Sequence, residues 1–153
     1  MLPTAHVLWG SVWLGLASSA VDIARKFVRS AARKQPGVVP PSALRLAELM
    51  TVQQQLAETV HGAIRRYADS LDDPDELSSL GFAISMNSLK VIASTLVVDI
   101  VSRALLICGI VAYAANTPYS LGRHIRDAHG AALMVNNDRI LANTSQMLLV
   151  HKD

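Results

Sequence analysis

The 153-residue chain holds a single cysteine, Cys108, so no intrachain disulfide can form and the framework of a small secreted domain is excluded. A reducing, cytoplasmic setting is expected, with Cys108 a small buried apolar residue. Aromatic residues make up only 5% and charged residues 17%, with a net charge of +2. Adjacent basic pairs occur only at Arg25-Lys26, Arg33-Lys34 and Arg65-Arg66, with few aromatics beside them. That is not the concentrated basic face of a nucleic-acid binder. Gly-x-Gly-x-x-Gly, P-loop, Gly-x-Ser-x-Gly and Cys-x-x-Cys motifs are all missing, which removes the common local signatures of dinucleotide, phosphate, esterase and thiol chemistry. Glu58-Thr-Val-His61 matches the Glu-x-x-His pair of di-iron bundles. Such a centre needs a second copy and two more glutamates, and the only other glutamates are Glu48 and Glu76, so no metal is expected.

What remains is apolar. Hydrophobic residues reach 51% and the mean hydropathy is +0.31. A chain of this length buries about two-thirds of its unfolded surface in one core, so some of the surplus is expected in an interface. Two uncharged runs, Met1 to Val21 and Ala104 to Gly122, imitate membrane spans. The first lacks the basic start of a signal peptide and flows on into Asp22-Ile-Ala-Arg-Lys26. The second carries Asn116, Thr117, Pro118 and Ser120. Both read as buried helix, without membrane insertion.

No stretch alternates apolar and polar residues between turn signals, so strands are not expected. Helix punctuation is abundant. A first helix runs from about Pro3 to Lys34 and closes at Gln35-Pro-Gly-Val-Val-Pro-Pro41, where three prolines and a glycine forbid continuation. Ser42 offers an N-cap for a second helix to Leu71, on which Leu49, Leu56, Val60, Ala63 and Tyr67 form a stripe. Asp73-Pro74-Asp75-Glu76 starts a third, because Asp73 accepts from a free amide and Pro74 suits the first helical position. This third helix is expected to reach Ala115, with Asp99 and Arg103 as an i, i+4 staple. Thr117-Pro118 repeats the start signal, and Tyr119 to Val150 reads as a last helix with a break at Asn136-Asn137. The expectation is an all-α, antiparallel four-helix up-and-down bundle, a single domain over residues 1–153.

Three stretches carry a family resemblance. Leu14-Gly-Leu-Ala-Ser-Ser-Ala-Val-Asp-Ile-Ala-Arg25 followed by Arg33-Lys34-Gln35-Pro36-Gly37, then Ala83 to Lys90, and then Arg123-His-Ile-Arg126-Asp127-Ala128 stand in order along the chain. Together they resemble the C-terminal helical domain of acyl-CoA dehydrogenases. The resemblance implies a flavoprotein whose N-terminal helical and middle β domains are absent from this chain, with FAD as cofactor and an acyl thioester as substrate. It also implies a homo-oligomer, dimer or tetramer. In the family the Arg-Lys turn reaches the FAD of a neighbouring subunit. Arg33 is the position that carries over, and Gln35 is a further donor; Pro36 loses a ring contact. A planar guanidinium suits the task because it forks onto two phosphate oxygens. Lys90, Arg126 and Asp127 are read as structural, the last two anchoring their helix to adjoining segments.

Two departures bear on chemistry. Where the family has Gln-x-x-Gly-Gly, this chain has Leu106-Ile-Cys108-Gly109-Ile110, so Gly109 is a candidate for close approach to FAD or, equally, a helix stop. The family's catalytic glutamate is missing too. Neither Leu133-Met-Val-Asn-Asn137 nor Ala142-Asn143-Thr144 holds an acid, and the alternative location near Ala5-His6 offers only His6 as a base. The reading is therefore the FAD-contacting, oligomerising domain of an acyl-CoA dehydrogenase-like oxidoreductase, inert alone. Its alternatives are a flavin-dependent monooxygenase of the same fold, a non-enzymatic helical interaction module and a membrane-surface helix protein.

Overall fold

A computed structural model describes residues 2–151, which fold into helices without a strand among them. Helix α1 spans Leu2–Lys34, and its buried residues Val7, Trp13, Ala17, Ala20, Val21, Ala24 and Val28 repeat at helical spacing. Small residues dominate that stripe and let α1 lie close to its neighbours. Gly10, for example, sits where an added Cβ would come 3.5 Å from Leu89 and 3.7 Å from Val60. Helix α2 covers Ser42–Asp69 and buries Leu49, Leu56 and Val60, while Ala63 and Tyr67 pack against the core at its edge. The apolar stripe expected from the sequence is thus the packed face. Gly37, at φ 84°, turns the chain between the two helices, a conformation glycine adopts without strain.

The third expected helix is three pieces. α3 is Pro74–Ser78, capped by the Asp73 side chain, which accepts from the amides of Asp75 and Glu76. Ser79 then becomes extended (φ −69°, ψ 147°) and caps α4, Leu80–Cys108, by accepting from the Phe82 amide at 3.0 Å. A second competent cap six residues after the first restarts the helix. At the other end Gly109 (φ 68°, ψ −150°) interrupts before the single turn α5, Ile110–Tyr113. Two other start signals are also corrected. Ser42 lies inside α2 and Pro41 stands at its cap without a side-chain hydrogen bond. The Thr117 hydroxyl donates to the Val111 carbonyl at 2.6 Å and accepts from the Tyr119 amide at 3.3 Å. It closes a turn, and α6 begins only at Gly122, running to Leu133, with α7 at Asn137–Leu148.

α4 is the axis of the molecule. It buries Phe82, Met86, Leu89, Ala93, Val97, Ile100, Val101 and Ala104, and packs on α1, α2, α6 and α7. An apolar surface wrapped on several sides explains why α4 has no single polar face. Both α1, from Pro3, and α4 are long and apolar enough to cross a membrane. Here much of their apolar surface serves the core.

Within that core lies a charge. Lys90 is 2% exposed, and its Nζ donates to the carbonyls of Ala131 (3.1 Å) and Val135 (2.7 Å) and to Asn137 Oδ1 (2.6 Å). The Trp13 ring centroid is 5.6 Å away, which adds a cation–π term. Burial pulls the Lys90 pKa below the usual lysine value. Ser94 and Asn137 exchange hydrogen bonds at 3.0 and 3.2 Å, and Asn136 accepts from the Asp138 amide at 2.7 Å. The expected break in the last helix is real. The asparagines cap α7 instead of continuing α6, and Val135 is pinned at φ 51°, a left-handed conformation that is rare for a β-branched residue. Lys90 is structural in that it holds three helices together.

Two outcomes follow for urea unfolding. Lys90→Met, which takes the ammonium from three buried acceptors and leaves Asn137 Oδ1 only its bond from Ser94, lowers stability by about 3 kcal/mol and exposes residues 133–137 to proteolysis; an unchanged midpoint contradicts the role given to the ammonium. Gly109→Ala costs about 1–3 kcal/mol, since its dihedrals are open to glycine almost alone.

Candidate functional site

Two of the residues singled out by the sequence, Gln35 and His6, line clefts, one at each end of α1. At its C-terminal end a cleft of about 520 Å³ is walled by Phe27, Lys34, Gln35, Val38, Val111 and Tyr119, among others. Phe27 and Tyr119 meet edge to face at 5.3 Å. Gln35 sits in the turn, its carbonyl accepting from the Val38 amide at 3.2 Å, and its side chain is exposed. Arg33 is exposed one residue before Lys34 and has no ion-pair partner among the described residues. An amide in the wall of a cleft that also holds Phe27, Tyr119 and Lys34, with an arginine unpaired among the described residues two positions before it in the chain, suits a phosphate-bearing cofactor. Arg33 itself does not line the cleft but directly precedes Lys34, which does. Gly109 is exposed nearby in sequence, two residues before Val111, and a Cβ there would meet nothing within 4 Å. Its positive φ is reason enough for glycine, and the open space leaves room for a ligand.

At the N-terminal end a second cleft, of about 450 Å³, is lined by His6, Asn87, Val135, Arg139, Ile140 and Asn143. No carboxylate stands among these residues. The sequence pointed to His6 alone; Asn87, Arg139 and Asn143 come from α4 and α7, and only the asparagine break hinted that α7 turns back, here against α4. His6 is 3% exposed, its Nδ1 lies 3.1 Å from the Met86 carbonyl, and its Nε2 is buried without a partner among the described residues. Burial lowers its pKa below the ordinary histidine value, the Met86 carbonyl opposes that shift, and the Lys90 charge adds to it.

The remaining candidates settle into structural roles. Arg123 and Arg126 each reach Asp127 at 3.4 Å, all three exposed on α6. These pairs lie within one helix and do not anchor it to adjoining segments, as the sequence had suggested; exposed pairs of this kind contribute about 0–1 kcal/mol. The tie from α6 to α1 is instead His124, whose Nε2 is 2.9 Å from the Ser19 hydroxyl. Its buried Nδ1 has no partner among the described residues, and burial lowers its pKa, against the pull of Asp127 and with the push of Arg123. Glu58 and His61 are exposed on α2, and no group of three or more His, Cys, Asp or Glu placed to hold a metal occurs among the described residues. Cys108 is buried and its thiol pKa is raised to about 11 by burial.

His6, which is buried, and His124, which is half-buried, both bind protons less readily in the folded chain than in the unfolded one. The unfolded state therefore takes up more protons below the ordinary histidine value of 6.5, and stability is lost as pH falls through that point toward the folded pKa values. Thermal unfolding from pH ~7 to ~5.5 is expected to show that decline, less steeply in the His6→Gln/His124→Gln double variant. Parallel profiles for the two proteins would refute the assignment.

No curated protein matches this chain. The model of the acyl-CoA dehydrogenase C-terminal domain matches residues 4–145, from the first turn of α1 to the last turn of α7. With that match running over most of the described helices, the chain belongs to the family of acyl-CoA dehydrogenase C-terminal domains.

Proposed function

We propose that this chain is the FAD-contacting and oligomerising domain of an acyl-CoA dehydrogenase-like oxidoreductase acting on an acyl thioester. The observation that carries the reading is the corner after α1. There Arg33 and Lys34 follow one another at the helix end, Arg33 has no ion-pair partner among the described residues, and Gln35 faces the aromatic-walled cleft. Bound there, FAD would supply the hydride acceptor of the reaction. Arg33 would fork onto its pyrophosphate, Gln35 would donate a further hydrogen bond, and Phe27 and Tyr119 would exclude water. We place α1, α2, α4 and the α6–α7 pair as the four arms of an antiparallel up-and-down bundle. Leu8, Trp9 and Val12, exposed on α1, form the apolar face by which a homo-oligomer would assemble.

A second reading keeps the flavin and changes the reaction. The cleft at His6 is lined without a carboxylate, the group that usually takes the α-proton of an acyl thioester. That favours a flavin-dependent monooxygenase of the same fold as the alternative to a dehydrogenase.

In the assembled flavoprotein, Arg33→Ala is expected to weaken FAD retention by about tenfold, the worth of one charge-assisted hydrogen bond. The flavin-to-protein ratio after dialysis measures it. Retention equal to that of the unaltered protein would remove Arg33 from the site, and no FAD uptake at all would leave a helical interaction module.

A further inference from the structure

The far end of α1 holds a titratable group that the fold keeps from its proton. His6 Nδ1 faces the Met86 carbonyl at 3.1 Å and so carries the hydrogen of the neutral ring, while Nε2 is under cover, with no partner among the described residues. A proton on Nε2 would find no acceptor there. It would also set an imidazolium where the Lys90 charge acts, and both penalties fall away once the ring meets water.

The neighbouring elements bring no compensating acid. α1 carries no Asp, Glu, Lys or Arg before Asp22. α2 offers Tyr67, which shares a hydrogen bond of 2.7 Å with Thr4; α4 offers Lys90; α6 keeps Arg123, Arg126 and Asp127 paired in solvent and His124 on Ser19. Arg139 of α7 lines the cleft beside His6, and no carboxylate does. Asp138 is exposed, and His151, beyond α7, packs at Gly81.

α7 itself is held unevenly. Its first residue and the turn before it are gripped by Lys90, through the Val135 carbonyl and Asn137 Oδ1, and that turn already bends at the positive φ of Val135. Farther along, Ile140 is the one buried residue of the helix, while Leu141 and Leu148 stay exposed. Thr144 accepts from Asn87 at 3.0 Å, and His151 rests at Gly81. A helix tied firmly at one end and lightly beyond it is the kind of element that opens locally before the fold does.

We propose that α7 is an acid-released flap, lifting from α4 about the turn held by Lys90 when His6 takes up a proton and closing over the histidine when the proton leaves. Nε2 is reached by solvent only in the open form, so its burial in the closed form is what couples proton to flap. The sign follows: the open form binds the proton more readily, and acid therefore favours it. The inference does not rest on FAD contact, which concerns the opposite end of α1.

Backbone hydrogen exchange of the chain at about pH 7 and about pH 5.5, corrected for intrinsic rates, tests it. Protection of the amides of residues 141–148 is expected to fall by up to about eightfold at the lower pH, with α2 and the middle of α4 keeping theirs. His6→Gln retains a donor for Met86 and cannot titrate, so it should abolish that local fall. By reciprocity Ile140→Ala, which loosens the flap, should bring the measured titration of the His6 ring up toward 6.5. Loss of protection spread evenly through the bundle, the same local fall in His6→Gln, or a His6 titration unmoved by Ile140→Ala each overturns the proposal. Should His6→Gln fail to fold, the Ile140→Ala titration decides alone.

Discussion

A buried ammonium must find acceptors, and in this chain those of Lys90 lie across the gap between α6 and α7. The carbonyls of Ala131 and Val135 and the side chain of Asn137 converge on Nζ within 3.1 Å. An unpaired charge in a core costs several kcal/mol, whereas a paired and fully hydrogen-bonded one is tolerated and fixes geometry. Here the geometry fixed is the reversal of the chain at residues 134–136. Val135 holds a left-handed conformation worth about 1–3 kcal/mol of strain, and its carbonyl receives one of the three bonds. The same Val135 lines the cleft at His6. Core charge, strained turn and cleft wall are thus one unit.

Around that unit the packing follows from α4. A helix buried over so much of its surface can be wrapped by α1, α2, α6 and α7, and its apolar residues each contribute about 1.5–3 kcal/mol on burial. α1 needs the small residues Ala17, Ala20 and Ala24 because it lies along that helix, all three fully buried. Its outer side keeps Leu8, Trp9 and Val12 in solvent, the surplus of apolar residues already visible in the composition.

Much of this was legible in the residues. The end of α1 was marked by prolines whose missing amides and fixed φ stop a helix, and the start of α3 by Asp73 and Pro74, which act through local hydrogen bonds that need no tertiary context. The break at Asn136-Asn137 was readable for the same reason. What misled was of the opposite kind. Ser79 looks tolerable inside a helix that already has a start signal at Asp73, and Gly109, although legible as a stop, lies inside the span expected to reach Ala115. Thr117-Pro118 has the form of a helix start, but its hydroxyl is drawn to Val111, a partner that no local pattern predicts. The cleft at His6 gathers side chains from three helices, so spacing along the chain pointed only to the histidine. The surrounding Asn87, Arg139 and Asn143 carry no local mark of a shared site.

The length of α1 has its own consequence. His6 and Arg33 ride on one unbroken helix, and 27 residues of rise at 1.5 Å each part them by about 40 Å. A single flavin, were it held at the corner as proposed, could not stretch its reactive ring to the histidine cleft of the same polypeptide. If both ends serve one reaction centre, each centre is completed by the opposite tips of two different copies, so that a mixed assembly of molecules damaged at one end and molecules damaged at the other would regain whole centres that neither parent possesses.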